Sequence, residues 1–382
     1  MADPVTERLL IRGADLVDHD GRRRGWLLLE SGAVIGSGDG PEPAADRVID
    51  AAGRVVTPGF VDLHNHGGAG IAFDDEADPT AALAFHRSHG TTRQLLSLVS
   101  APIDALERSL SRIAALTRAD PLVLGAHLEG PFLADARRGA HDPASLRNPD
   151  PDAVSRLLAA GDGALRMVTL APERDGSAQA QERLQQGGVA VAVGHTDAGY
   201  DDARAAFDRG ATILTHAFNA MRQIEHRAPG PVIAAVDAGA VLELILDGIH
   251  VHPSVAGAAF RMAPGRLALV TDAMSAAGRP DGPYTLGGLD VVVAHGSARL
   301  AGTSTLAGSV LTQDVALRQA IEHAGVDPVH AVTALTATPA RALGRPDLGS
   351  FRTGARADVL VLADDWSPTV VIAEGRVLTP FP

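Results

Sequence analysis

The stretch PGFVDLHNH, residues 58–66, runs from an apolar segment straight into two histidines. Four further segments end the same way. Glu129 closes LVLGAHLE, His195 follows VAVAVG, His216 follows ATILT, and Asp272 follows LALVT, while His64 and His66 close the first. Each apolar run reads as a buried strand, and each polar residue stands where that strand should stop. In a (β/α)₈ barrel all strand C-termini open on one face, so side chains from several strands meet there. Imidazoles and carboxylates gathered at one mouth suit a divalent ion of the zinc type. The pattern therefore predicts a barrel that carries out metal-assisted hydrolysis.

Strand and helix patterns alternate through the middle of the chain, the signature of a parallel sheet. Strands are predicted to begin near Val55, Thr92, Leu122, Leu165, Val189, Ala211, Val241 and Arg266, with helices between them. A final helix, Thr312–His323, follows the eighth strand. The Gly-rich segment 275–311 is too long for an ordinary βα loop and is read as a hairpin (YTLGGLDVVVAHG) plus an active-site loop. Short β-like runs at residues 8–50 and 357–378 read as the two parts of a small β-sandwich. The expected organisation is a sandwich from residues 1–56 and 351–382 around a distorted barrel at 57–350.

The chain has 382 residues and a formal charge of −13, which argues against nucleic acid as a partner. It contains no cysteine, so disulfides and thiolate ligands are excluded. All 33 basic residues are arginine, so there is no Schiff-base lysine and no carbamylated lysine to bridge two metals. No apolar run approaches membrane-spanning length, and MADPVTERLL lacks the basic and apolar regions of a signal peptide. The expectation is a cytoplasmic enzyme without membrane contact.

His64-Asn65-His66 places two imidazoles on one side of an extended strand. A carboxylate such as Glu129, ending so apolar a run, has little structural use. Hydrolysis also needs a base that takes a proton from water and returns it to the leaving group. Metal binding lowers the pKa of water to about 7, so a nearby carboxylate such as Asp272 suffices. On chemistry alone His141, in RRGAHDP, is an ordinary loop histidine. Arg227, in a Gly/Pro-rich loop after the sixth strand, allows an anionic substrate group without requiring one.

The motifs HLEGPF (127–132), GAH (139–141), GHT (194–196), THAFNAM (215–221), DGIH (247–250), TDAM (271–274) and LAGS (306–309) occur in this order. The set resembles the N-acetylglucosamine-6-phosphate deacetylases of the amidohydrolase superfamily, over nearly the whole chain. That resemblance implies a distorted barrel with a β-sandwich made from both termini, in a homodimer. It implies Glu129, His195 and His216 as ligands of the principal metal, with Asp272 as general base and acid. His141 would hold the substrate and polarise its carbonyl. Asn219 and Ala220 would contact phosphate and sugar, Arg227 would bind phosphate, and His250 would reach the phosphate from the neighbouring subunit. The loop beginning at Leu306 would wall the sugar. Members that keep both first-motif histidines can hold a second metal, so His64 and His66 leave one or two ions per subunit open. Zinc is expected, with iron(II) or another divalent ion as the alternative. With no lysine available, Glu129 would have to bridge.

The implied reaction is deacetylation of N-acetylglucosamine 6-phosphate. One rival is the same chemistry on N-acetylgalactosamine 6-phosphate, which comparative kcat/KM values would separate. A second is another amidohydrolase, such as a D-aminoacylase or a deaminase, separated by phosphate dependence. A third is a non-catalytic scaffold barrel, against which the full set of ligand-type residues argues.

Overall fold

The computed structural model describes residues 7–378. Eight parallel strands form one sheet in strict sequence order: Phe60–Asp62, Thr91–Leu98, Val123–Glu129, Leu165–Leu170, Ala190–Val193, Ile213–Leu214, Val241–Ile245 and Leu267–Val270. Helices cover its outside, from Thr80–Ser88 to Pro253–Met262, each returning the chain to the next strand. The architecture is a (β/α)₈ barrel, distorted where its first strand meets its eighth. No strand ladder joins those two. Backbone bonds beyond the strand ends close the gap instead, Asp272 N–H donating to the His64 carbonyl and His66 N–H to that of Ala273, each at 2.8 Å. The Thr271 hydroxyl donates to buried Asp62 at 2.6 Å.

Three details differ from the sequence reading. Val55–Pro58 is not the first barrel strand; it pairs with Leu9–Asp18 and Val359–Leu362 in the other sheet. The chain crosses to the barrel at Gly59, where an added Cβ would lie 2.2 Å from the Thr92 hydroxyl oxygen. The crossing is too tight for any side chain, and sequence pattern alone does not register such a break. The segment after the eighth strand is also richer than a hairpin. It forms a three-stranded antiparallel sheet, Gly282–Leu286, Leu289–Ala294 and Ser297–Leu300, over a small core that includes Val99, Met274 and Ala307. The helix expected at Thr312–His323 begins at Gln313 and loosens into a π turn at Gln319–His323.

Both ends of the chain build one curled antiparallel and mixed sheet around its own core. Alternation along VLVL, residues 359–362, shows how this unit is fixed. Val359 and Val361 point into the curled sheet's core, while Leu360 and Leu362 join the barrel's core. At that junction Arg93, from the second barrel strand, is buried. Its Nε donates to Asp358 at 2.6 Å, Nη1 to the Pro121 carbonyl at 2.6 Å, and Nη2 to Asp358 and Glu374, each at 3.2 Å. No helix among the described residues is long and apolar enough to cross a membrane.

Removing one member of a buried, fully bonded ion pair strands the other charge, at a cost of about 3–5 kcal/mol. Arg93→Leu should therefore lower stability toward urea by about that amount. Asp358→Asn, which keeps an acceptor, should cost less. Equal midpoints for Arg93→Leu and the parent would show that the pair does not hold the two sheets together.

Candidate active site

The strand ends deliver their polar residues to one point. Glu129 is the last residue of the third strand. His195, His216 and Asp272 lie just past the fifth, sixth and eighth strands, and all three have left-handed backbones, with φ of 45°, 27° and 48°. Such a conformation costs a non-glycine residue on the order of 1–3 kcal/mol and concentrates at functional sites. Here it turns each side chain inward at the moment the strand stops. The close packing beneath depends on Gly194, where an added Cβ would lie 2.7 Å from that of Thr215.

Glu129 is the centre of the cluster. Its Oε1 lies 3.0 Å from His195 Nε2 and 2.9 Å from His216 Nε2, and those two nitrogens are 3.0 Å apart. Its Oε2 lies 3.2 Å from His66 Nε2 and 3.2 Å from His141 Nε2. His64 Nε2 and His66 Nε2 are 3.0 Å apart and face Asp272 Oδ1 at 3.5 and 3.3 Å. All seven side chains are buried.

The electrostatics follow from two carboxylates in a dry site. Burial alone would raise the Asp272 carboxyl, but the charge on His64 and a hydrogen bond with His66 bring it down to about 2. Burial likewise opposes ionisation of Glu129, and the charges on His64, His195 and His141 hold it well below the usual carboxylate range. Burial works against a proton on His66, yet bonds to Asp272 and Glu129 lift it to about 9. His64 is raised as well, Glu129 and Asp272 outweighing its burial. The pocket thus demands positive charge at the point where these carboxylates and imidazoles meet.

A divalent ion fits this demand. Tetrahedral donors held about 2.0–2.1 Å from a zinc ion stand roughly 3.3–3.4 Å from one another. The triangle of Glu129, His195 and His216 has sides of 3.0 Å or less, so a small relaxation admits an ion. The donors are imidazole and carboxylate with no thiolate, a set suited to zinc and its divalent neighbours. His195 Nδ1–H donates to the Arg137 carbonyl at 2.8 Å, which leaves the Nε2 lone pair facing the cluster.

His141 is different. Its Nδ1 accepts the Ser100 N–H at 3.2 Å, so the neutral ring carries its proton on Nε2. Burial holds its pKa down to about 4. Although it sits within ligand distance of Glu129 and His195, a ring in that tautomer donates a hydrogen bond rather than coordinating.

A cavity of about 390 Å³ opens over the cluster. His141, Asn219, Ala220, His250 and Leu306 line it along with Glu129, His66, His195, His216 and Asp272. His250 lines the mouth of its own barrel, its Nδ1 paired with Asp247 at 2.7 Å and its amide with the same carboxylate at 2.8 Å. Arg227 does not line its own chain's cavity. It is exposed, in a loop pinched by the Glu225–Ala228 bridge.

Three residues were missed from the sequence. Arg137 lines the cavity and its Nε pairs with Asp197 at 2.9 Å. His127 lies under the cluster, joined to Ser97 at 2.9 Å and Thr169 at 2.8 Å. Its signal was available, since His127 and Glu129 are two apart on one strand and share a face. Glu243, in VLELI, is completely buried on the seventh strand.

A barrel with carboxylates and imidazoles converging at its C-terminal mouth defines a metal-dependent hydrolase. The chain belongs to the amidohydrolase family, whose model matches residues 55–378. It is 41% identical to an N-acetylgalactosamine-6-phosphate deacetylase of Escherichia coli O157:H7, covering 84% of this chain and 87% of that protein. It is 36% identical to the N-acetylglucosamine-6-phosphate deacetylase of Homo sapiens, covering 97% and 93%. Among solved structures it resembles a mutant N-acetyl-D-glucosamine-6-phosphate deacetylase from Mycobacterium smegmatis in complex with N-acetyl-D-glucosamine-6-phosphate. That likeness has a TM-score of 0.93 and 44% identity, covering 98% of this chain and 100% of that one.

Because His141 is already neutral well below pH 6, it should not set the acid limb of the pH profile. His141→Gln should lower kcat while leaving the pH at which activity falls unchanged. A shift of that limb would mean that His141 titrates in the working range. Glu129→Gln should lose bound metal and activity together while keeping its thermal midpoint in the metal-free state. Full metal content with near-normal turnover would remove Glu129 from the ligand set.

Proposed function

We propose that this enzyme hydrolyses the acetamide of N-acetylglucosamine 6-phosphate, giving glucosamine 6-phosphate and acetate. The observation that carries this reading is the two-sided cavity. One side is the carboxylate–imidazole cluster with the His141 donor beside it. The other is a rim that bears the polar side chains of Asn219 and His250 beside Ala220, in a chain whose relatives are deacetylases of phosphorylated amino sugars.

Glu129, His195 and His216 would hold one divalent ion, zinc in this proposal, and His64 and His66 a second. Such an ion would lower the pKa of water and polarise the amide carbonyl. The chain's own residues do the rest. Asp272 takes a proton from the attacking water as the new C–O bond forms. His141 Nε2–H donates to the carbonyl oxygen as negative charge develops there. Asp272 then gives its proton to the amide nitrogen as the C–N bond breaks, which releases acetate and the free amine.

The phosphate would sit at the rim. His216, Phe218 and Ala220 have left-handed backbones, and alternating conformations of this kind turn backbone N–H groups into a concave anion cradle. His250 adds a ring fixed by Asp247. Arg227, exposed and outside its own cavity, is the residue free to reach a neighbour's site in the proposed cytoplasmic homodimer. The 41% identical relative favours a second reading, the galactosamine epimer, on the same chemistry.

Asp272→Asn should keep substrate binding and lose about 10³-fold or more in kcat, because the base and acid roles go together. Retained kcat with loss of metal alone would make Asp272 a ligand only. Arg227→Ala should cost about 10- to 150-fold in kcat/KM on the phosphorylated sugar, the worth of a charged hydrogen bond, and little on the unphosphorylated one. Equal losses on both sugars would place Arg227 outside phosphate recognition. Side-by-side kcat/KM for the two epimers decides between the readings.

A further inference from the structure

Glu243 is the middle residue of the seventh barrel strand, Val241–Ile245, and it is completely buried. A leucine would fill that volume without taking a charge out of water, a cost of several kcal/mol in a protein interior. No arginine compensates it. Among the described residues its side chain meets only two partners, both at 3.4 Å on Oε2. These are the ring Nδ1 of His64 and the backbone N–H of His216. Its Oε1 has no partner. Its backbone carbonyl accepts the Ala217 N–H at 2.8 Å. Glu243 therefore stands behind the cluster, between the segment just past the first strand that carries His64 and the turn that carries His216.

We propose that Glu243 is a positioning residue for the cation that His64 helps to hold. By accepting the His64 Nδ1–H it fixes the tautomer in which Nε2 presents its lone pair to His66, Glu129 and Asp272. His195 receives the same service from a neutral backbone carbonyl. By contrast Nδ1 of His66 and of His216 has no partner. His64 is thus the imidazole of the cluster oriented from behind by a carboxylate. A carboxylate on the far nitrogen locks the ring and makes the near nitrogen a better donor to a metal. The His64 ion should be bound more tightly because Glu243 is there, although Glu243 never touches it. This rests on the metal-hydrolase reading above.

The test is zinc binding to chelator-stripped protein, by calorimetry or competition with a chromogenic chelator, for the parent, His64→Ala, Glu243→Leu, Glu243→Gln and the double variant His64→Ala/Glu243→Leu. Glu243→Leu should weaken one zinc about 10- to 100-fold, the usual effect of removing such a partner, and this should be the same zinc that His64→Ala loses. Glu243→Gln, which keeps an acceptor, should fall between the parent and Glu243→Leu. Once His64 is gone the second change should add nothing. Glu243→Leu that binds zinc like the parent would overturn the proposal. So would losses that add in the double variant, since Glu243 would then act by some route other than His64. Should Glu243→Leu not fold, Glu243→Gln combined with His64→Ala carries the same comparison. Parent protein that binds no zinc or other divalent ion would instead bring down the metal-hydrolase reading itself.

Discussion

The constraint on which this structure turns is the burial of two carboxylates, Glu129 and Asp272, within a few ångströms of one another at the barrel mouth. Like charges in a low-dielectric interior repel strongly and are poorly solvated. They stay ionised only if positive charge sits between them. The imidazoles supply it, and both His64 and His66 are driven to hold protons. Divalent cations in place of those protons would meet the same demand. The left-handed turns at His195, His216 and Asp272, and the glycine at 194 below them, are local costs that let the donors converge.

The same residues also complete the fold. The first and eighth strands share no ladder, and the seam between them is closed by the backbones of His64, His66, Asp272 and Ala273. Asp62 lies directly beneath. Burial pushes its carboxyl up to about 6 against the bonds from Thr271 and His64 that favour its charge. The bonds that close the barrel are therefore also the bonds that set His64 and His66 against Asp272.

Much of this was legible in the sequence because buried strands leave a coarse, strong signal. Apolar runs ending in a polar residue located the strands, and the last residue of each run located the cluster. What sequence could not carry was which sheet a strand joins and which way a loop turns. Val55–Pro58 reads like the strand that follows it, and only the steric limit at Gly59 shows that the chain changes sheets between them. His250 and Arg227 are both polar residues after neighbouring strands. One is drawn inward by the Asp247 carboxylate three residues back; the other is carried outward on a pinched loop. Glu243 left a clear mark, a lone acid in VLELI. That mark does not close a strand, as those of the other cluster residues do, because Glu243 sits in the middle of one.

The absence of lysine gives the carboxylate of Glu129 a particular weight. No lysine is present to be carbamylated, and Glu129 is the strand-end acid that meets His64, His66, His141, His195 and His216. Its Oε1 faces His195 and His216 and, at 3.5 Å, His64, while its Oε2 faces His66 and His141, so the one carboxylate meets both halves of the cluster. Asp272 turns Oδ1 toward His64 and His66 alone. The two carboxylates are therefore not equivalent under the proposed mechanism. Glu129 is committed on both oxygens and can serve as a fixed ligand. Asp272 is engaged through one oxygen, which leaves the other to carry a proton from water to the leaving nitrogen. That asymmetry, set by which strand each acid closes, separates the structural acid from the chemical one.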